Sequence, residues 1–256
     1  RMADHLNDFS ILEGNDFYKG ISHRIKALSF LKQGDAATAA LEIQMALDTL
    51  GTSKKGDIHH FLTQQLAGII FLETDDLITA GPLLDQSLMF FEQISSDLSC
   101  VETHLISGVM AWEQKDVSRA LERINQGLTL ASRKAYTFFP LVTDTVLVKA
   151  IVIWVGYVCD RDVLPAVLSL GKQCNSSCVS AEIDWLLSGA AASETVRVTE
   201  NLRVLHTALL PEIRIETLGQ FAVLCNDQLI DPKAFEGSRP ILLLKSIVRQ
   251  DRKSVV

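Results

Sequence analysis

Small and large apolar residues recur at fixed distances from three aspartates. Counting from Asp35, Ala27 and Leu31 stand eight and four residues before, and Ala39, Ile43, Ala46 and Leu47 stand four, eight, eleven and twelve after. The same offsets from Asp76 give Gly68, Leu72, Ala80, Leu84, Ser87 and Leu88, and from Asp116 they give Gly108, Trp112, Ala120, Ile124, Gly127 and Leu128. The registers lie 41 and 40 residues apart (76 − 35 and 116 − 76). Positions −8 and −4 share one face of a helix, as do +4, +8, +11 and +12. The pattern therefore predicts a helical hairpin, repeated three times, with each aspartate at its corner. The small positions let paired backbones approach closely, and the large ones fill the space between them.

The corners predict their own chemistry. Lys32, Gln33, Gly34 and Asp35 close one helix on a glycine and offer an aspartate to cap the next. Residues 74–76 and 114–116 occupy the same corner without a glycine, so weaker caps are expected there. The first hairpin is predicted over 17–33 and 36–50, after a partial helix within 1–16, and a polar loop follows over 51–56. The second hairpin runs over 57–94. Pro82 falls in its second helix, which either starts late with Thr79 as its cap or is kinked at the proline. The third hairpin runs from 95 to 133. A degenerate fourth pair is predicted over 139–159 and 163–173, with Pro140 and Pro165 in first turns and Trp154 in a slot that elsewhere holds a small residue. A last pair, 180–192 and 194–209, closes the stack.

After Pro211 the period changes from helical to two. Residues 213–218 alternate as a strand, 221–225 form a second, Asn226 and Asp227 suit a tight turn, and 228–231 complete a hairpin. A helix is predicted over 239–248, with Ser238 as cap and Pro240 in its first turn. The division is a helical-repeat domain over 1–210 and a second domain beginning at 211.

Two resemblances follow from these residues. Leu31 to Asp35 with Ala39, Ala46 and Leu47 resembles the tetratricopeptide repeat, whose period is ~34 residues. The longer spacing here resembles the TPR-like regions of large bacterial regulators of the SARP and maltose-regulon-activator type. The run from Arg214 through Gly219, Phe221 and Val223, then Asn226 to Ile230, Leu242 to Val248 and Arg252 to Val255, is similar to the opening of the winged-helix domain of SARP-type transcriptional activators. The resemblance implies an all-α, TPR-like right-handed superhelix of antiparallel helix pairs. A small β-hairpin or sheet and one helix of a truncated winged-helix domain would follow it. In that family the third winged-helix helix enters the DNA major groove. This sequence ends before such a helix, so the resemblance carries no DNA-reading residue onto it.

Composition narrows the classes. The chain has 256 residues, 48% of them apolar, which suffices for a sizeable core. Net charge is −7. Residues 213–256 carry seven basic and five acidic residues, net +2, which leaves −9 on the remainder. An acidic repeat region argues against its gripping nucleic acid directly. Cys100, Cys159, Cys174, Cys178 and Cys225 are scattered and odd in number, which fits reduced thiols in a cytoplasmic protein. The longest apolar run, 150–159, is too short to span a bilayer. The chain opens on Arg1 within polar sequence, which suggests a piece of a longer protein.

Candidate chemistry is sparse. His59, His60 and His104 have no carboxylate or thiol at ligand spacing, so neither a metal nor a cofactor is expected. Trp112 occupies a slot that holds leucine in the other repeats and reads as core filler, whereas the role of Trp185 is open. No phosphate loop or nucleophile motif is present. What remains is the groove that stacked hairpins line with their first helices. Positions −11 and −3 from each corner, Arg24 and Lys32, Gln65 and Glu73, Leu105 and Glu113, are expected to face it. The expected function is a signal-sensing or protein-interaction domain of a bacterial transcription regulator, controlling an adjoining DNA-binding domain without catalysis. The partners expected are other domains of the same regulator, a small effector or a peptide in the groove, and a second copy of the chain. DNA is reached only through a complete winged helix. The alternative is a peptide-binding TPR scaffold or co-chaperone with no DNA role.

Overall fold

A computed structural model describes residues 16–51, 58–174, 176–189, 191–209, 213–216, 222–225 and 228–229. The partial helix expected within 1–16, most of the 51–56 loop and the helix expected over 239–248 lie outside the described residues. The chain divides into two compact units, 1–209 and 210–256.

The described part of the first unit is helical. Its elements are α1 (Asp16–Lys32), α2 (Ala36–Leu50), α3 (Ile58–Glu73), α4 (Leu77–Gln93), α5 (Asp97–Glu113), α6 (Val117–Lys134), α7 (Asp144–Tyr157), α8 (Leu164–Gln173), α9 (Ser176–Gly189) and α10 (Ala192–Leu209). Consecutive helices pair as α1 with α2, α3 with α4, and α5 with α6. Alternate helices also touch in a row, α1 to α3 to α5 to α7 to α9. Residues at the repeating offsets are the ones that pack: Ala27, Ala39, Ala80, Ala120, Ile43, Leu84 and Ile124 are all fully buried.

The three aspartate corners share one construction. The residue before each aspartate takes a left-handed backbone, with φ of 80° at Gly34, 62° at Asp75 and 66° at Lys115. The aspartate N–H then reaches back five residues, from Asp35 to the Phe30 carbonyl, Asp76 to Phe71 and Asp116 to Ala111, at 3.0, 2.8 and 2.9 Å. Its carboxylate accepts from the N–H three residues on, at Thr38, Thr79 and Arg119. One residue thus closes a helix with its backbone and opens the next with its side chain. The missing glycines do not change this geometry. They place Asp75 and Lys115 in a conformation that disfavours a Cβ. Lys115→Gly should raise stability by about 1 kcal/mol, and Asp116→Ala should lower it by about 1 kcal/mol. Urea denaturation of the two variants reads both signs, and equal midpoints would remove this account of the corner.

The structure decides one open alternative and corrects two expectations. The second helix of repeat two begins at Leu77 with Asp76 as its cap, so Thr79 is not the cap and Pro82 lies inside the helix. The proline has no N–H for the Ile78 carbonyl. Ile78 is 88% exposed, so water reaches that turn. In the fourth pair, α7 starts at Asp144 with Thr143 as its cap, and Pro140 belongs to the irregular segment before it. That segment is held by a tertiary contact, the Leu141 N–H donating to Glu102 Oε1 at 2.8 Å. The last pair occupies Ser176–Gly189 and Ala192–Leu209, so its first helix starts earlier than expected.

In the second unit, β1 (Ile213–Glu216), β2 (Ala222–Cys225) and β3 (Gln228–Leu229) form an antiparallel sheet in the order β1-β2-β3. Ile213 pairs with Cys225, and Cys225 with Gln228.

Candidate functional site

The first helices of repeats two and three, α3 and α5, are buried far more completely than a groove wall would be. In α3 every residue from Thr63 to Phe71 is buried, and in α5 every residue from Cys100 to Ala111. A helix enclosed on all sides has no solvent face. Gln65 and Leu105, expected in the groove, are both 0% exposed. For Gln65 the reason is contact between first helices: Gln65 Nε2 donates to the Ser99 carbonyl at 3.1 Å and to Thr103 Oγ1 at 2.9 Å, both near or on α5. Gln65 thus joins neighbouring repeats, Leu105 packs against Gly127 of α6 in its own hairpin, and neither lines an open groove. Arg24 is half-buried and donates to the His59 carbonyl at 3.3 Å, another bridge between first helices. Lys32 is exposed at the end of α1; burial raises the Glu102 carboxyl, and the Leu141 N–H and then the Lys32 charge offset part of that rise.

The −3 positions of repeats two and three do converge. Glu73 and Glu113 line one cavity of about 310 Å³, together with Val109, Val146 and Lys149. The Lys149 ammonium donates to Glu113 Oε1 at 2.7 Å, and the Thr143 hydroxyl donates to Glu73 Oε1 at 3.0 Å. Both partners come from α7 or its cap, so the degenerate fourth pair supplies the opposite wall.

A second cavity has a volume of about 420 Å³. Trp112, Tyr157, Trp185, Lys115, Leu186 and Glu194 line it. Trp112 and Tyr157 meet edge to face, with centroids 5.2 Å apart and planes at 60°, and Trp112 and Trp185 are 6.4 Å apart at 57°. The Lys149 ammonium sits over the Trp185 ring, 4.9 Å from its centroid. Burial raises the Tyr157 phenol above its usual range, and the Glu194 carboxylate beside it adds to the shift. Burial likewise raises the Glu182 carboxyl, with Lys149 opposing and Glu113 reinforcing.

Trp112 is therefore core on one side and cavity wall on the other. Its substitution for the leucine of the other repeats was the signal available for this site. Lys149, Tyr157 and Glu194 gave none, because they belong to repeats that have lost the aspartate register. Among the described residues no cluster of His, Cys, Asp and Glu is arranged to hold a metal ion. Nor, among them, is any helix long and apolar enough to cross a membrane. A comparison with models of known protein families and with curated proteins finds no match.

Proposed function

We propose that the chain is the sensing or interaction region of a bacterial transcription regulator, a TPR-like right-handed superhelix that controls a winged-helix DNA-binding domain beginning near residue 211. The observation that carries this reading is one succession. Three aspartate corners of one construction repeat in stacked helical hairpins. An antiparallel three-stranded sheet then follows in sequence, in the stretch that resembles the SARP-type domain. The superhelix receives an effector or a partner domain, and the bound form favours one arrangement of the regulator over another. Its effect is limited to the difference in affinity between the two arrangements. No catalytic step belongs to this role.

The test uses the native protein with whatever sequence follows Val256. Gel shifts at low salt should show DNA binding that weakens steeply as salt rises, because phosphate contacts release counterions. No shift at low salt, together with specific capture of peptides by the helical region, would replace this reading with the scaffold one.

A further inference from the structure

The cavity between Trp112, Tyr157 and Trp185 has the chemistry of a cation receptor. Trp112 is inclined to Tyr157 by 60° and to Trp185 by 57°, so it forms a corner with each of them and not a parallel slot. A slot between parallel plates suits a flat ring. A corner of inclined faces suits a compact, rounded group that touches several rings at once. Ring faces carry negative potential and attract cations most strongly where water is excluded. One of these rings already carries a cation: the Lys149 ammonium rests on Trp185 while Glu113 holds it at 2.7 Å. With Lys149 held by Glu113, the carboxylate on the cavity wall is Glu194, which accepts from the Tyr157 hydroxyl; Arg197 stands near that hydroxyl and Glu182 near Lys149. Lys115 also lines the cavity, but it is exposed on the corner after α5, at the rim of the site.

We propose that this cavity binds a small organic ammonium, of the methylated kind, with its cationic head among Trp112, Tyr157 and Trp185 and its charge balanced by Glu194. The site lies wholly within the helical unit, and it stands whether or not that unit controls DNA binding.

The test is titration of the full chain with choline and tetramethylammonium, read by tryptophan fluorescence and calorimetry. The neutral carbon isostere of choline, 3,3-dimethylbutan-1-ol, serves as the matched control. Saturable binding of the ammonium is expected, with the isostere weaker by at least ~10-fold. Trp112→Leu restores the residue that the other two repeats carry in this slot, so it preserves the fold while removing a wall. It should lose ~10-fold or more in affinity while still melting cooperatively as a folded protein, and Glu194→Gln should weaken the ammonium but not the isostere. Equal binding of ammonium and isostere, no binding of either ammonium at millimolar concentration, or full affinity in Trp112→Leu would overturn the proposal. Tighter binding of a trimethyl-lysine peptide than of any free ammonium would overturn the assignment to a small molecule.

Discussion

Gly108→Val is expected to destabilise the helical unit by about 3 kcal/mol, and to do so by forcing α5 and α6 apart. A Cβ at Gly108 would stand 2.5 Å from Ile124 Cγ1, 3.0 Å from the Ile124 nitrogen and 3.2 Å from the Ala120 carbonyl oxygen. A side chain can rotate away, but the two backbone atoms move only if the helix carrying them moves. Ile124 and Ala120 are both fully buried, so that movement opens the core. Gly68 occupies the same slot in repeat two, and the three atoms nearest to its Cβ would all belong to the Leu84 side chain, the first at 2.5 Å. Gly68→Val should therefore cost less than Gly108→Val. Gly81→Ala is the control of opposite sign. Its nearest neighbour is Met110 Cε at 3.6 Å, an ordinary contact, so the helix gains up to about 1 kcal/mol from alanine's better propensity. Urea midpoints measured with constant slope compare the three. A Gly108→Val protein as stable as the parent would show that the repeat tolerates wider helix spacing than its small residues imply.

Stability should also depend on pH through two buried groups of α5 whose effects oppose each other. Glu102 is 3% exposed, and burial pushes its carboxyl up from 4.5 to about 7, although the Leu141 N–H and Lys32 pull it down. Its folded value is the higher one, so the folded state holds the proton more tightly. Its contribution is greatest below pH 4.5 and is lost as pH rises through about 7. His104 is 7% exposed, and burial, then the Arg123 charge, lowers it from 6.5 to about 4. Here the unfolded state binds the proton more tightly. The contribution is complete above pH 6.5 and is lost as pH falls towards 4.

Between roughly pH 4.5 and 6.5 the two slopes cancel in large part, and each substitution exposes the other group. Glu102→Gln retains an oxygen to accept from Leu141 and removes the titration. Relative to the parent it should gain about 3 kcal/mol between pH 4.5 and pH 8. His104→Gln should show the reverse, gaining on the parent by about 3 kcal/mol as pH falls from 7 to 4. The slope of the difference is the readout, since packing changes shift both curves without tilting them. Parallel curves for parent and variant would mean that the group titrates normally in the folded state.

The hairpins were legible because their signals are local. Asp35, Asp76 and Asp116 cap the helix that follows them through an N–H three residues away, and the apolar stripe repeats every turn. Local rules also made Leu77 ambiguous, since Thr79 and Asp76 are both sound caps in sequence. The structure selects Asp76 because its backbone is already held by the Phe71 carbonyl. Pro140 misled for the opposite reason. A proline suits a first turn, but the contact between Leu141 and Glu102, 39 residues away, decides where that segment goes.

The sequence by itself determined the corners, the paired helices with their small-large stripe, and the change to strand periodicity after Pro211. Only the tertiary structure decided which polar residues face water. Gln65 and Leu105 share their repeat position with Arg24, but Gln65 is buried against α5 and Leu105 against α6, whereas Arg24 stays half-exposed. It also decided that Lys149 of α7 touches both Glu113 of α5 and Trp185 of α9, the first a wall of one cavity and the second a wall of the other. Capping and helical periodicity act within about four residues along the chain. Burial and convergence depend on neighbours some 40 residues away, and no local pattern encodes how those neighbours stack.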